Sequence, residues 1–207
     1  MQIISHRGYW KTASEKNSGI AFARSFDLGF GTETDVRDLD GQLVISHDPP
    51  TSQAMGFEAF LSIHASRDLP LALNIKADGL AAALKSAAVR AGLSNYFVFD
   101  MSIPDMLQYK RENVPFYTRL SEYEPAPAFL ESASGVWLDS FESTWFDAGT
   151  IQALLRKGTR VCVVSSELHK RPHQPLWDLL LPLRHEPQLM LCTDLPEEAQ
   201  HHFRTPE

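Results

Sequence analysis

The sequence predicts an α/β protein, a single compact (β/α)8 TIM barrel with a short extra β-hairpin after its second strand. Short β-branched or aromatic runs alternate with longer helical patterns eight times along 207 residues, at about 26 residues per unit, near the lower end of barrel sizes. Several of the runs are too apolar for one wet face, as parallel strands covered on both sides must be. No linker interrupts the series, so residues 1–207 read as one domain. The rival is an open doubly wound sheet, but the chain holds neither Gly-x-Gly-x-x-Gly nor Gly-x-x-x-x-Gly-Lys-[Ser/Thr] to cradle a nucleotide.

The strand candidates are residues 3–5, 31–36, 72–76, 97–100, 116–118, 135–139, 160–165 and 189–193. After the first, Phe22, Ala23 and Phe26 recur at helical spacing behind the caps Asn17 and Ser18, and Gly29 sits just past the end. Asp40-Gly41 is a hairpin signal, so residues 42–46 should return beside the second strand. A helix follows Gly56. Leu80, Leu84, Ala88 and Ala91 form the next apolar stripe before Gly92, and Asp147 can cap a helix carrying Ile151, Leu154 and Leu155 that Gly158 ends. Further helices are expected after Ile103, Pro125, Pro175 and Leu195.

Nineteen Lys+Arg stand against 26 Asp+Glu, a formal net charge of −7. That balance argues against a nucleic-acid backbone or an anionic membrane as the main partner, since either selects a basic face. An anionic substrate must be met by a local cluster of cations. Cys162 and Cys192 lie in apolar runs and read as buried free thiols, which makes a reducing, cytoplasmic setting the simplest expectation. The N-terminal segment lacks the pattern of a cleaved leader and no run approaches about eighteen apolar residues, so neither export nor a membrane span is expected.

Functional groups of a barrel gather where strands end and loops begin. The first strand ends in His6-Arg7-Gly8, an imidazole and a guanidinium followed by a residue that permits a tight turn. On the second strand Glu33 and Asp35, two apart, point to one side. Facing the axis, they would be costly without a cation between them, and a hard ion such as Mg²⁺ or Ca²⁺ prefers their oxygens. Facing outward, they would leave Thr32 and Thr34 inside. His47 returns on the hairpin with Asp48 beside it, and Asn74 and Lys76 share one side of the third strand. Two histidines, two carboxylates, an arginine and a lysine at the first three strand ends form a kit for phosphoryl transfer.

The run His6-Arg7-Gly8, Asn17-Ser18, Glu33-Thr34-Asp35-Val36-Arg37, Asp40-Gly41 and Val44-Ile45-Ser46-His47-Asp48 resembles the signature of the glycerophosphodiester phosphodiesterase family. Thr193-Asp194-Leu195-Pro196 is similar to that family's closing motif after the last strand. The resemblance implies a phosphoric diester hydrolase using one divalent metal ion, Mg²⁺ or Ca²⁺, on a small soluble glycerophosphodiester-like substrate. It implies His6 and His47 as acid and base, Glu33, Asp35 and Asn74 as metal ligands, and Arg7 and Lys76 on the phosphate oxygens. A vicinal hydroxyl then attacks phosphorus and water opens the cyclic phosphate. Related phospholipase proteins share the barrel, so a lipid head-group substrate is one alternative.

Three departures qualify the resemblance. Asn74 stands where the family has a glutamate, Lys16 stands where it has an acid before Asn-Ser, and only residues 49–56 separate His47-Asp48 from the next helix, where a longer insertion is common. Asn74 makes a catalytically degenerate barrel that binds a phosphorylated metabolite the second alternative. Asp139 and Glu167, at the ends of later strands, are further candidates for substrate binding, with Glu167 able to compensate for Asn74. The pair His169 and His173 is set aside as a metal motif because Pro172 interrupts the helix that would align it.

Overall fold

The computed structural model describes residues 1–65 and 67–204. Its elements run β1 (Gln2–His6), α1 (Gly19–Asp27), β2 (Gly31–Leu39), β3 (Gln42–Ile45), β4 (Met55–Gly56), α2 (Phe57–His64), β5 (Leu71–Ile75), α3 (Ala81–Arg90) and β6 (Tyr96–Phe99). They continue α4 (Ile103–Glu112), β7 (Tyr117–Leu120), β8 (Gly135–Leu138), α5 (Ala148–Arg156), β9 (Arg160–Val164), α6 (Gln174–Leu180), β10 (Leu189–Thr193) and α7 (Pro196–Phe203). The fold is α/β with a mostly parallel sheet. Parallel ladders run β6-β5-β2-β1-β10-β9-β8-β7. Between β6 and β7 the pairing thins to a single parallel bridge, Val98 to Phe116, with the Val98 N–H donating to the Pro115 carbonyl at 3.0 Å.

Local chemistry explains most boundaries. The Ser18 hydroxyl accepts from the Ala21 N–H at the start of α1, and the Asp147 carboxylate accepts from the Thr150 N–H at the start of α5. Asp40 and Gly41, both at positive φ, make the tight turn that lays β3 antiparallel on β2. The helix expected after Pro125 does not form. Residues 121–134 instead make an irregular connection with one 3-10 turn, Leu130–Ser132. Pro125 and Pro127 remove backbone donors, and Phe129 takes a left-handed φ of 56°.

Alternation along the strands divides the core. Ile4, Ala72, Phe97, Phe99, Tyr117, Trp137, Cys162, Val164, Met190 and Cys192 form one buried cluster, in which Phe97 stacks on Tyr117 and Phe99 on Trp137. The other side chains of the same strands pack under the helices in two larger clusters. Gly135 is required by the inner cluster, because a Cβ there would lie 2.4 Å from the Tyr117 ring. Both cysteines are free and buried, and burial pushes both thiols up. Among the described residues no helix is long and apolar enough to cross a membrane.

Candidate functional site

Residues that follow the inner cluster's parity toward the C-terminal strand ends change from apolar to polar or charged: His6, Glu33, Asp35, Asn74, Lys76, Arg119, Asp139 and Asp194. Glu33 pairs in register with Ala72 of the inner cluster, and Glu33 and Asp35 are 1% and 0% exposed, so the inward alternative is the observed one. Asn74 is Asp35's partner in the parallel β2–β5 register and is itself buried. Thr32 and Thr34 are buried as well, on the opposite parity. The Thr32 hydroxyl accepts from the Gly8 N–H at 3.0 Å, and the Thr34 hydroxyl donates to Asn17 Oδ1 at 2.8 Å, so both hold the β1–α1 loop.

That loop is shaped around the acids. Arg7 and Asn17 sit at left-handed φ of 57°, a strained state for residues with a Cβ. In this conformation the Arg7 N–H donates to Glu33 Oε2 at 3.1 Å, and the Arg7 carbonyl accepts from the Asn17 N–H at 2.9 Å. Gly8 is held where a Cβ would come within 2.8 Å of Ala21 Cβ, so only glycine lets the loop lie on α1.

Electrostatically the two acids are crowded and incompletely served. Asp35 Oδ2 accepts from Asn17 Nδ2 at 2.8 Å and lies 3.1 Å from Arg7 Nε, an ion pair whose geometry leaves Nε–H without a hydrogen bond. Asp35 Oδ1 lies 3.4 Å from Lys76 Nζ and has no hydrogen-bond partner, and neither has Asn74 Oδ1. Burial, then the charge of Asp35, pushes the Glu33 carboxyl up to about 7 despite His6, Arg7 and Lys76. Among the described residues no three His, Cys, Asp or Glu side chains form a metal-holding group. Glu33, Asp35 and its register partner Asn74 bring two carboxylates and one amide oxygen to this side of the sheet. Unsatisfied, buried oxygen donors of this kind fit a hard divalent cation.

His6 has a fixed orientation. Its Nδ1 lies 2.8 Å from Asp194 Oδ1, which as a carboxylate accepts the Nδ1 proton, leaving the Nε2 lone pair directed to the site, 3.9 Å from Glu33 Oε2. Burial raises Asp194, but its hydrogen bond to His6 and the nearby charges of His6 and Lys16 outweigh that and hold it below its ordinary value. Asp194 was legible only as part of a closing motif; its bond to a residue 188 positions away carries no local signal.

His47 lies just beyond β3, exposed, with Nδ1 2.9 Å from Asp48 Oδ1. It shares the wall of a cleft of about 470 Å³ with Arg7, the sequence neighbour of His6. Asp139 and Glu167 are not brought to the Glu33–Asp35 pair by any contact. Asp139 Oδ1 lies 2.7 Å from His169 Nε2 and accepts from the Ser140 N–H at 2.9 Å, and its Oδ2 is 3.7 Å from Arg119. Glu167 accepts from the Ser165 and Thr193 hydroxyls and from the Asp194 N–H. It thereby braces the segment that carries His6's partner.

No family model matches the chain, and no curated protein matches it. Solved structures do. A glycerophosphodiester phosphodiesterase from Agrobacterium tumefaciens superposes with a TM-score of 0.73 at 15% identity, covering 98% of each chain. An Oleispira antarctica phosphodiesterase in complex with the product sn-glycerol-3-phosphate gives 0.71 at 16% identity, covering 99% of this chain and 97% of the other. A glycerophosphoryl diester phosphodiesterase from Parabacteroides distasonis gives 0.72 at 13%, covering 97% and 85%. Over nearly its whole length, the chain has the fold of these phosphodiesterases.

Proposed function

We propose that the protein is a divalent-metal-dependent hydrolase of a small soluble phosphodiester, built on a closed (β/α)8 barrel whose β6–β7 seam is completed by the Val98–Phe116 bridge. The observation that carries this reading is the buried row Glu33, Asp35 and Asn74, with acceptor atoms left unpaired beside a histidine whose orientation is fixed by Asp194. The fold shared with phosphodiesterases supports it.

Glu33, Asp35 and Asn74 would hold one Mg²⁺ or Ca²⁺, which supplies Lewis-acid stabilisation of the phosphoryl oxygens. Arg7 and Lys76, on either side of Asp35, place a guanidinium and an ammonium against the same oxygens. His6 Nε2 accepts the proton of a hydroxyl vicinal to the phosphate as that oxygen bonds to phosphorus. His47 gives a proton to the departing alcohol oxygen as its bond to phosphorus breaks. Water then opens the cyclic phosphate with the two imidazoles exchanging roles. Asp139 and Glu167 support substrate binding from behind, through Arg119 and the Asp194 segment.

Asn74 favours one second reading, a barrel that binds a phosphorylated metabolite without turnover. Hydrolysis of a chromogenic phosphodiester with Mg²⁺, Ca²⁺ or Mn²⁺ separates the two. Metal-dependent turnover by wild type that His6→Ala and Glu33→Gln abolish supports the enzyme; no turnover across a broad diester panel leaves the binding protein.

A further inference from the structure

Two clefts flank the reacting centre, and their charges differ. The larger, of about 590 Å³, is walled by Lys76, Asp100, Arg119 and Glu124, and there every cation has an acid: Lys76 has Asp35, and Arg119 has Asp100 with Glu124 at 3.5 Å. The cleft of about 470 Å³ lies between the loop entering α1 and the β3–β4 hairpin, walled by Arg7, Lys16, Asn17, His47, Asp48 and Gln53. Its one acid, Asp48, bonds to His47 and is 87% exposed. Among the described residues Lys16 has no carboxylate within ion-pairing distance; its ammonium sits 4.4 Å from the centre of the Trp10 ring. Stacking on an indole holds an ammonium in place without neutralising it. The Lys16 charge also contributes to holding Asp194 below its ordinary value.

A phosphodiester brings one negative charge, and Arg7 and Lys76 already attend it. Lys16 is a cation in surplus, beside a cleft with room for a small substituted alcohol. We propose that this cleft is a subsite for a second anionic group, a phosphate or a carboxylate, carried by one alcohol of the substrate, with Lys16 as the residue that selects it. The inference rests on the phosphodiesterase reading for what the substrate is, but its binding chemistry stands apart from turnover.

The test is calorimetric titration of the full chain in Mg²⁺ with glycerol 3-phosphate, glycerol 1,3-bisphosphate and 3-phosphoglycerate. Wild type is expected to bind the bisphosphate roughly five- to tenfold more tightly than the monophosphate, beyond the twofold that two equivalent phosphates give by statistics. The 3-phosphoglycerate arm tells a carboxylate-selecting cleft from a phosphate-selecting one. Lys16→Gln should bring the preferred ratio to about the statistical value, and Gln53→Glu, which adds an acid to the same wall, should lower it too. Raised ionic strength should shrink it. Equal affinities in wild type overturn the proposal, as does a preference that survives both substitutions. Diester turnover without any preference removes the subsite and leaves the reaction. A preference without turnover of any diester removes the reaction and leaves the subsite.

Discussion

The mouth of the sheet has two sides built from similar parts, and they are finished differently. On the β7–β8 side, Arg119 pairs with Asp100 and approaches Glu124 and Asp139, and Asp139 holds His169. On the β1–β2–β5 side, an arginine, a lysine, two carboxylates and a His–Asp pair also meet, yet Asp35 Oδ1, Asn74 Oδ1 and Arg7 Nε lack hydrogen bonds. A closed network of charges holds loops together. One left with open valences and two buried like charges is costly in the free protein and becomes favourable when a ligand completes it. The contrast between these two groups supports the proposed placement of the reacting centre on the β1–β2–β5 side.

The largest expected effect breaks the open side. His6→Ala and Glu33→Gln should each lower kcat/KM on a phosphodiester about a thousandfold, with the circular dichroism spectrum unchanged. Retention of more than a tenth of the activity by either variant would put the reacting centre elsewhere.

Acid–base linkage gives the next test. Because the Glu33 carboxyl is pushed up to about 7 from 4.5, the folded chain keeps a proton there that the unfolded chain releases. That contribution to stability is full below about 4.5 and is lost as pH rises through about 7, by at most about 3 kcal/mol. In chelator, wild type should therefore melt several degrees lower at pH 8 than at pH 5.5, and Glu33→Gln should lose most of that difference. Added Mg²⁺ should restore the melting temperature at pH 8 in wild type alone.

Asn74→Glu sharpens the comparison by adding a third charge to the donor row. Divalent-ion affinity should rise about tenfold in a titration, and equal or weaker affinity would place Asn74 outside the donor set. The smallest effect on catalysis is expected from the closed side. Asp139→Asn weakens a bonded pair with His169 and Arg119, so it should cost about 1–3 kcal/mol in urea unfolding and change kcat less than tenfold.

Elements whose cause is local were readable in the chain. Buried parallel strands are short apolar runs, and residues 189–193 are the observed β10 to the residue. Asp40-Gly41 announced its hairpin because few other residues accept two successive positive φ values. The helix expected after Pro125 failed where two prolines overrode apolar spacing. Contacts between distant segments were out of reach. Nothing around Thr32 or Thr34 says that their hydroxyls hold the β1–α1 loop, and nothing near His6 names Asp194. Glu33 and Asp35 could be paired on one side by the strand period alone, but which side was a choice between two alternatives until the register of β2 on β5 decided it.

The two histidines also differ in how they meet the solvent. His6 ends a buried strand and is backed by a carboxylate at the end of the neighbouring strand, whereas His47 stands on a hairpin arm in open water. In the proposed reaction the second step restores both imidazoles, so neither depends on the bulk for its proton. Between turnovers, however, the outer one also exchanges with open water, while the inner one does so through the pocket. Proton-exchange measurements on the two rings would then separate them, with the arm's ring exchanging faster than the strand's.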